Sequence, residues 1–196
     1  MFRRSLLLAG LGLLLSGSIP CADEKKPVLV VIATEVGTIE VELDPAHAPV
    51  TVANFLRYVK GGFYDGGRFH RTVTPGNQPA NKVKIEVVQA GINPAREKEE
   101  YPPIALERSS VTGLKHLDGA ISMARAEPDT ATSDFFICIG DQPELDFGGK
   151  RNPDGQGFAA FGHVVQGMDV VRAIQRAPAE NQTLTPPVPI VSIRLK

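Results

Sequence analysis

The residues best placed to do chemistry stand in the stretch GGRFHRTV, residues 66–73. There Arg71 follows Phe69 and His70 on a strand-like apolar run with no acidic neighbour in sequence. A guanidinium is permanently charged and presents its donors in a rigid planar fork. The simplest reading is a snorkelling arginine, its stem buried and its head in water. The other reactive side chains are not arranged for nucleophilic or metal chemistry. The four histidines, His47, His70, His116 and His163, lie far apart without ligand spacing. Cys138 sits within FFICIG, a core-strand pattern that makes an inert buried thiol. No Ser/His/Asp or Cys/His set stands out. The glycines of DFGGKRNPDGQG (146–157) fit neither a P-loop nor a dinucleotide fingerprint. No metal and no cofactor are expected.

The elements that position these residues must come from a single domain. The chain has 196 residues, 42% hydrophobic and 22% charged, an ordinary globular composition. A formal net charge of −1 gives no general attraction to nucleic acid or anionic membrane. The N-terminus MFRRSLLLAGLGLLLSGSIPCAD has Arg3 and Arg4, an apolar run from Leu6 to Leu15, then small and turn residues, then acid. That is the layout of a secretory signal, and its apolar run is too short to span a bilayer. We expect residues 1–22 to be a signal peptide cleaved after Ala22, residues 23–27 a linker, and residues 28–196 a domain exported to the periplasm or beyond. Arg3-Arg4 weakly resembles a twin-arginine signal. A lipid anchor on Cys21 is disfavoured by Pro20 before it. Cleavage after Ala22 would leave Cys138 alone, with no internal disulfide.

Within that domain, residues 27–43 read as two strands joined at Glu35–Gly37, with Thr38, Glu40 and Glu42 alternating against Ile39, Val41 and Leu43. The period then changes: Val52, Phe55, Leu56 and Val59 fall at helical spacing, with Pro49 in the first turn and Gly61 at the exit, predicting a helix over 49–60. RFHRTV follows as a strand, and TPGNQPANK as a polar loop. Further strands are expected over 84–91, 119–125, 134–140 and 158–165, a second helix over 167–176, and a closing strand in VPIVSIRLK. Many short strands with one early and one late helix suggest a β-barrel or sandwich with helical caps.

Four ordered motifs carry a resemblance. APVTVANFLRYVKGGFYDGGRFHR, VVQAG, TGLKHLDGAISMARAEPDTATSDFFICIGDQPELD and FAAFGHVVQGMDVVRAI together resemble the cyclophilin family of peptidyl-prolyl isomerases, from about Val28 to Leu195. The resemblance implies a closed eight-stranded antiparallel β-barrel capped by two α-helices, mainly β in class. It implies catalysis of cis/trans rotation about X–Pro bonds, with proline-containing unfolded or flexible polypeptides as partners, and a monomer.

An X–Pro bond is a tertiary amide whose isomers differ little in energy and interconvert slowly. A catalyst of its rotation needs an apolar slot for the ring and a donor that stabilises the twisted amide. By resemblance, Arg71 is that donor, with His70 and Phe69 on the same site strand. Gln89 would orient the guanidinium and bind substrate backbone. Val87, Phe136, Leu145 and Phe158 would line the slot, with Ala124 and Arg125 on its rim. Taken alone, Val87, Phe136 and Leu145 read as core, Gln89 as a solvent-facing strand residue and His70 as structural.

The chain also departs from the family pattern. TVTPGNQPANKVKIEVV, between Arg71 and Gln89, carries an insertion that would wall or cover the site. Glu86, Glu144 and Asp134 stand where the family usually has phenylalanine, an aromatic residue and glutamine. They are expected to add acid around the groove and to favour basic residues near the proline; whether Arg71 pairs with Asp134 or Glu86 instead of substrate, which would lower activity, the sequence leaves open. The leading function is an exported isomerase that assists folding. The alternative is a proline-peptide-binding chaperone module with weak or no catalysis.

Overall fold

The computed structural model describes residues 26–196. The expected signal peptide of residues 1–22, its expected cleavage site and Cys21 lie outside the described residues. The strands are β1 (Val28–Thr34), β2 (Gly37–Leu43), β3 (Arg68–Val73), β4 (Val87–Gly91), β5 (Ala120–Met123), β6 (Phe135–Cys138), β7 (Ala159–Gln166), β8 (Ala179–Glu180) and β9 (Thr183–Leu195). The α-helices are α1 (Pro49–Lys60), a short α2 (Ser109–Thr112) and α3 (Met168–Gln175). Their spatial order is β1-β2-β7-β5-β6-β4-β3-β9-β8, and β1 also pairs with β9. Apart from the two-residue β8, the strands therefore close into an eight-stranded antiparallel barrel.

The barrel interior is apolar. Ile32, Ile39, Val41, Ile121, Ile137 and Ile193 are all fully buried there. Helix α1 closes one end with Val52, Phe55, Tyr58 and Val59, and α3 covers the other with Val171 and Ile174. On β4 and β6 both faces are buried, which decides where the site lies. Val88, Ala90, Phe135 and Ile137 point inward, while Val87, Phe136 and Cys138 join Val73, Ile85, Ala120 and Leu145 in a second apolar cluster. The period of two sends alternate residues to opposite faces, so this second cluster lies on the barrel's outer wall. Cys138 is buried within it, and burial pushes its thiol pKa up.

Two expectations about the elements need correcting. The strand expected over 84–91 begins only at Val87, because the backbone of Ile85 is satisfied by a side chain: Gln78 Nε2 donates to the Ile85 carbonyl at 2.7 Å. The closing strand starts at Thr183, a length hidden in sequence by Pro186, Pro187 and Pro189, which normally argue against a strand. The short α2 and β8 carried no periodic signal to be read.

The insertion is an ordered structure folded around Gln78, which is 1% exposed. The Gln78 amide donates to the carbonyls of Thr74 (2.8 Å) and Ile85 (2.7 Å), and its Oε1 accepts from Arg151 Nη1 (2.7 Å). Asn77 Nδ2 adds bonds to the Thr72 and Asn181 carbonyls. Gln78→Ala should therefore cost about 2–3 kcal/mol, since it strands several buried polar groups at once. Urea denaturation followed by circular dichroism checks this; a loss of a few tenths of a kcal/mol would show that the loop is held by other contacts.

Candidate active site

Both neighbours of β3 shift register between Phe69 and Arg71. Such a bulge inserts one extra residue and re-aims the side chains beside it. Phe69 fills the barrel interior, edge-on to Phe135 at 6.1 Å, while His70 and Arg71 both open onto one outer cavity of about 710 Å³. That cavity also takes Val87, Gln89, Ala124, Arg125, Phe136, Leu145 and Phe158. Of the ten residues assigned in sequence to catalysis or substrate binding, Phe69 alone lies outside it. A regular strand pattern gives no sign of the bulge that turns Phe69 away.

Arg71 is held on three nitrogens by neutral acceptors. Its Nη1 donates to Gln89 Oε1 at 2.9 Å, and its Nε and Nη2 donate to Gln182 Oε1 at 2.9 and 2.6 Å. Among the described residues no carboxylate pairs with it, so of the alternatives the sequence left open, pairing with Asp134 or Glu86 is not the one adopted. Glu86 instead accepts from Gln175 Nε2 of α3 at 2.9 Å. Asp134 is one step removed: Gln89 Nε2 donates to its Oδ2 at 3.0 Å, and His70 Nε2 lies 3.6 Å from the same oxygen. Burial raises the Asp134 carboxyl above its ordinary range, against the pull of His70 and the Gln89 bond. A side chain at Gly91 would collide with the Asp134 carboxylate, so glycine keeps this corner open. The Tyr64 hydroxyl and the Asn54 amide, both donating at 2.6 Å, fix the carbonyls of Ser133 and Thr132 just before Asp134.

The apolar side of the cavity is built on the outer cluster. Phe158 stands perpendicular to Phe136 with centroids 5.3 Å apart, and buried His116 stacks against Phe136 at 6.0 Å. His116 is itself locked by Asp146 (2.8 Å) and Ser122 (3.0 Å), so it braces the phenylalanine. Val87 and Leu145 complete the wall. At the rim, the Arg125 side chain is only 1% exposed; its guanidinium pairs with Asp154 at 2.8 Å and donates to the Gly157 carbonyl at 2.6 Å. Glu144 is turned out of the groove, accepting from the Lys150 backbone N–H at 2.7 Å. Of the three carboxylates expected around the groove, only Asp134 lines it, joined by Glu97 and Glu100.

A half-buried guanidinium at the mouth of a phenylalanine-lined slot is the arrangement that the sequence motifs implied. The family model described as cyclophilin type peptidyl-prolyl cis-trans isomerase/CLD matches residues 29–195. This chain belongs to that family. The cyclophilin is 41% identical over 155 residues to peptidyl-prolyl cis-trans isomerase A of Dickeya dadantii, covering 78% of this chain and 73% of the relative. It is 32% identical over 196 residues to the peptidyl-prolyl cis-trans isomerase of Acinetobacter baylyi, covering 97% of each. Among solved structures, a Cryptosporidium parvum cyclophilin superposes with a TM-score of 0.71 at 21% identity, covering 87% of this chain and 98% of that one, a likeness of fold. The same parasite protein was also solved in the presence of the dipeptide Ala-Pro, with a TM-score of 0.69 at 22% identity, covering 86% of this chain and 98% of that one. The chain is thus a cyclophilin-type peptidyl-prolyl isomerase.

Sequence reasoning missed Gln182, which takes two of this cyclophilin's three Arg71 bonds from a position 111 residues away. It follows Asn181, whose positive φ of 57° makes the β8–β9 turn, and its Nε2 donates to the Asn77 carbonyl at 3.1 Å. No local pattern ties that turn to Arg71. Gln182→Ala frees two guanidinium donors to swing, so kcat should fall about tenfold with KM within about twofold, because orientation is lost and contact is kept. A rise in KM at unchanged kcat would make Gln182 a substrate contact instead.

Proposed function

We propose that this isomerase lowers the X–Pro rotation barrier by arginine stabilisation of the twisted amide, with the proline ring held in the slot of Phe136, Leu145, Phe158 and Val87. The uncatalysed barrier is about 20 kcal/mol and reflects amide resonance lost on twisting. As resonance is lost the prolyl nitrogen gains lone-pair character, and a fixed guanidinium donates to it or holds the adjacent carbonyl. Such stabilisation grows only in the transition state, which is what accelerates. One observation carries the reading: Arg71 is fixed by the neutral acceptors Gln89 and Gln182, and no carboxylate among the described residues pairs with it. Gln89 and Ala124 line the same cavity, within which we assign them contacts to substrate backbone.

We further propose that its clients are exported polypeptides, from the secretory layout of residues 1–22. The test of activity is cis/trans exchange of a short Ala-Pro peptide by NMR with the full chain; no acceleration would overturn the catalytic reading. The test of location is cell fractionation with N-terminal sequencing, expected to find a periplasmic or secreted form beginning at Asp23. An intact, cytoplasmic Met1 form would overturn it.

A further inference from the structure

The insertion and the 146–157 loop meet at Arg151, which lines the same cavity as Arg71. Its Nη1 donates to Gln78 Oε1 (2.7 Å) and the Val83 carbonyl (2.8 Å), while its Nε and Nη2 find no acceptor among the described residues. The two guanidiniums are tied to one scaffold: Arg71 leans on Gln182, Gln182 on the Asn77 carbonyl, and the next residue, Gln78, holds Arg151. Among the described residues both are held only by neutral acceptors, so two positive charges open on one cavity with no carboxylate paired to either. Burial lowers the pKa of each, and for Arg71 the charge of Arg151 adds to the lowering.

Asp134, Glu97 and Glu100 line the same cavity, but among the described residues none of them forms an ion pair with Arg71 or Arg151. Asp134 is beyond Gln89, and Glu100 accepts from Thr132 and Ser133. Arg125 is neutralised by Asp154. The Arg71 side of the groove thus carries unpaired positive charge, where added acid was expected from the sequence. A carboxylate or phosphate would satisfy the spare donors of Arg151 and relieve the repulsion between the two arginines.

We infer that Arg151, together with Arg71, forms a subsite for an anionic group carried next to the substrate proline. The inference rests on the Arg71 groove being the proline site, and makes Arg151 a specificity-determining residue.

The test is a peptide series, each with one X–Pro bond, in which the residue before or after proline is Glu, Gln, phosphoserine or Lys. Exchange is measured by NMR at low and high salt for the wild type, Arg151→Gln and Arg151→Lys. The wild type should prefer Glu over Gln by about tenfold at one of the two positions, with Lys poorest. High salt should shrink that preference, Arg151→Gln should bring the ratio near unity, and Arg151→Lys should keep part of it. The position that responds assigns the side of the proline, and comparison with phosphoserine separates carboxylate from phosphate. Equal turnover of Glu and Gln peptides by the wild type overturns the subsite and needs no variant to fold. A preference unchanged in Arg151→Gln assigns it to other groups and overturns the role of Arg151. Turnover of no peptide, the neutral ones included, overturns the groove reading itself, and the subsite with it.

Discussion

Arg71→Ala is expected to lower kcat/KM on an Ala-Pro peptide by about 10²–10³-fold, the usual cost of removing one preorganised transition-state donor. The size follows from how the guanidinium is held. Three of its nitrogens are anchored on Gln89 and Gln182, so the donors that remain are aimed without further ordering on binding. Its partners are uncharged, so its field is not cancelled before substrate arrives. Arg71→Lys should recover little of the loss, because a single ammonium cannot bond both glutamines and still reach the amide. Protease-free kinetics on the two variants check this, with circular dichroism to confirm folding. A lysine variant with more than about half the wild-type rate would mean that charge alone suffices and the fork is incidental.

Phe55→Ala should destabilise the fold by about 3–5 kcal/mol, as for other large aromatic-to-alanine changes in closed cores. Phe55 is fully buried on α1 and its ring meets those of Tyr64, Phe135 and Phe161 at centroid distances of 5.3, 5.5 and 5.3 Å. These rings come from the helix, the segment after it and two strands, so little can move in to fill the hole. Phe135 precedes Phe136 of the slot, and Tyr64 holds the Ser133 carbonyl, so the same plug that seals the barrel end supports the site. Phe55→Leu, which keeps most of the volume, should cost less than about 2 kcal/mol. Chemical denaturation midpoints compare them; a loss under about 1 kcal/mol for alanine would show a barrel end loose enough to collapse.

What was legible in the sequence tracks locality. The α1 boundaries at Pro49 and Lys60 were readable because proline, glycine and a 3.6 period all act within one turn. The second strand was readable because its alternation is clean, with Ile39, Val41 and Leu43 buried and Thr38, Glu40 and Glu42 on the other face. Val87 and Phe136 were ambiguous between core and pocket for a physical reason: they are core of a second cluster outside the barrel, and the cavity rests on that cluster. The bulge at His70, the anchoring of Arg71 by Gln182 and the docking of Arg151 on Gln78 all depend on contacts across long stretches of chain, which no local pattern encodes. Acid at positions 86 and 144 was visible, but its direction was not: Glu86 turns to α3 and Glu144 to the Lys150 backbone.

In the proposed mechanism Arg71 acts on the twisted amide and not on the ground state. The most direct measurement separates the two, by NMR titration for peptide affinity and exchange spectroscopy at saturating peptide for rotation on the protein, in wild type and Arg71→Ala. An Arg71 that works in the transition state predicts affinity within about threefold and on-protein exchange reduced by about 10²-fold or more. Affinity and overall turnover that fall together, with exchange of bound peptide preserved, would make Arg71 a recognition residue and contradict the mechanism.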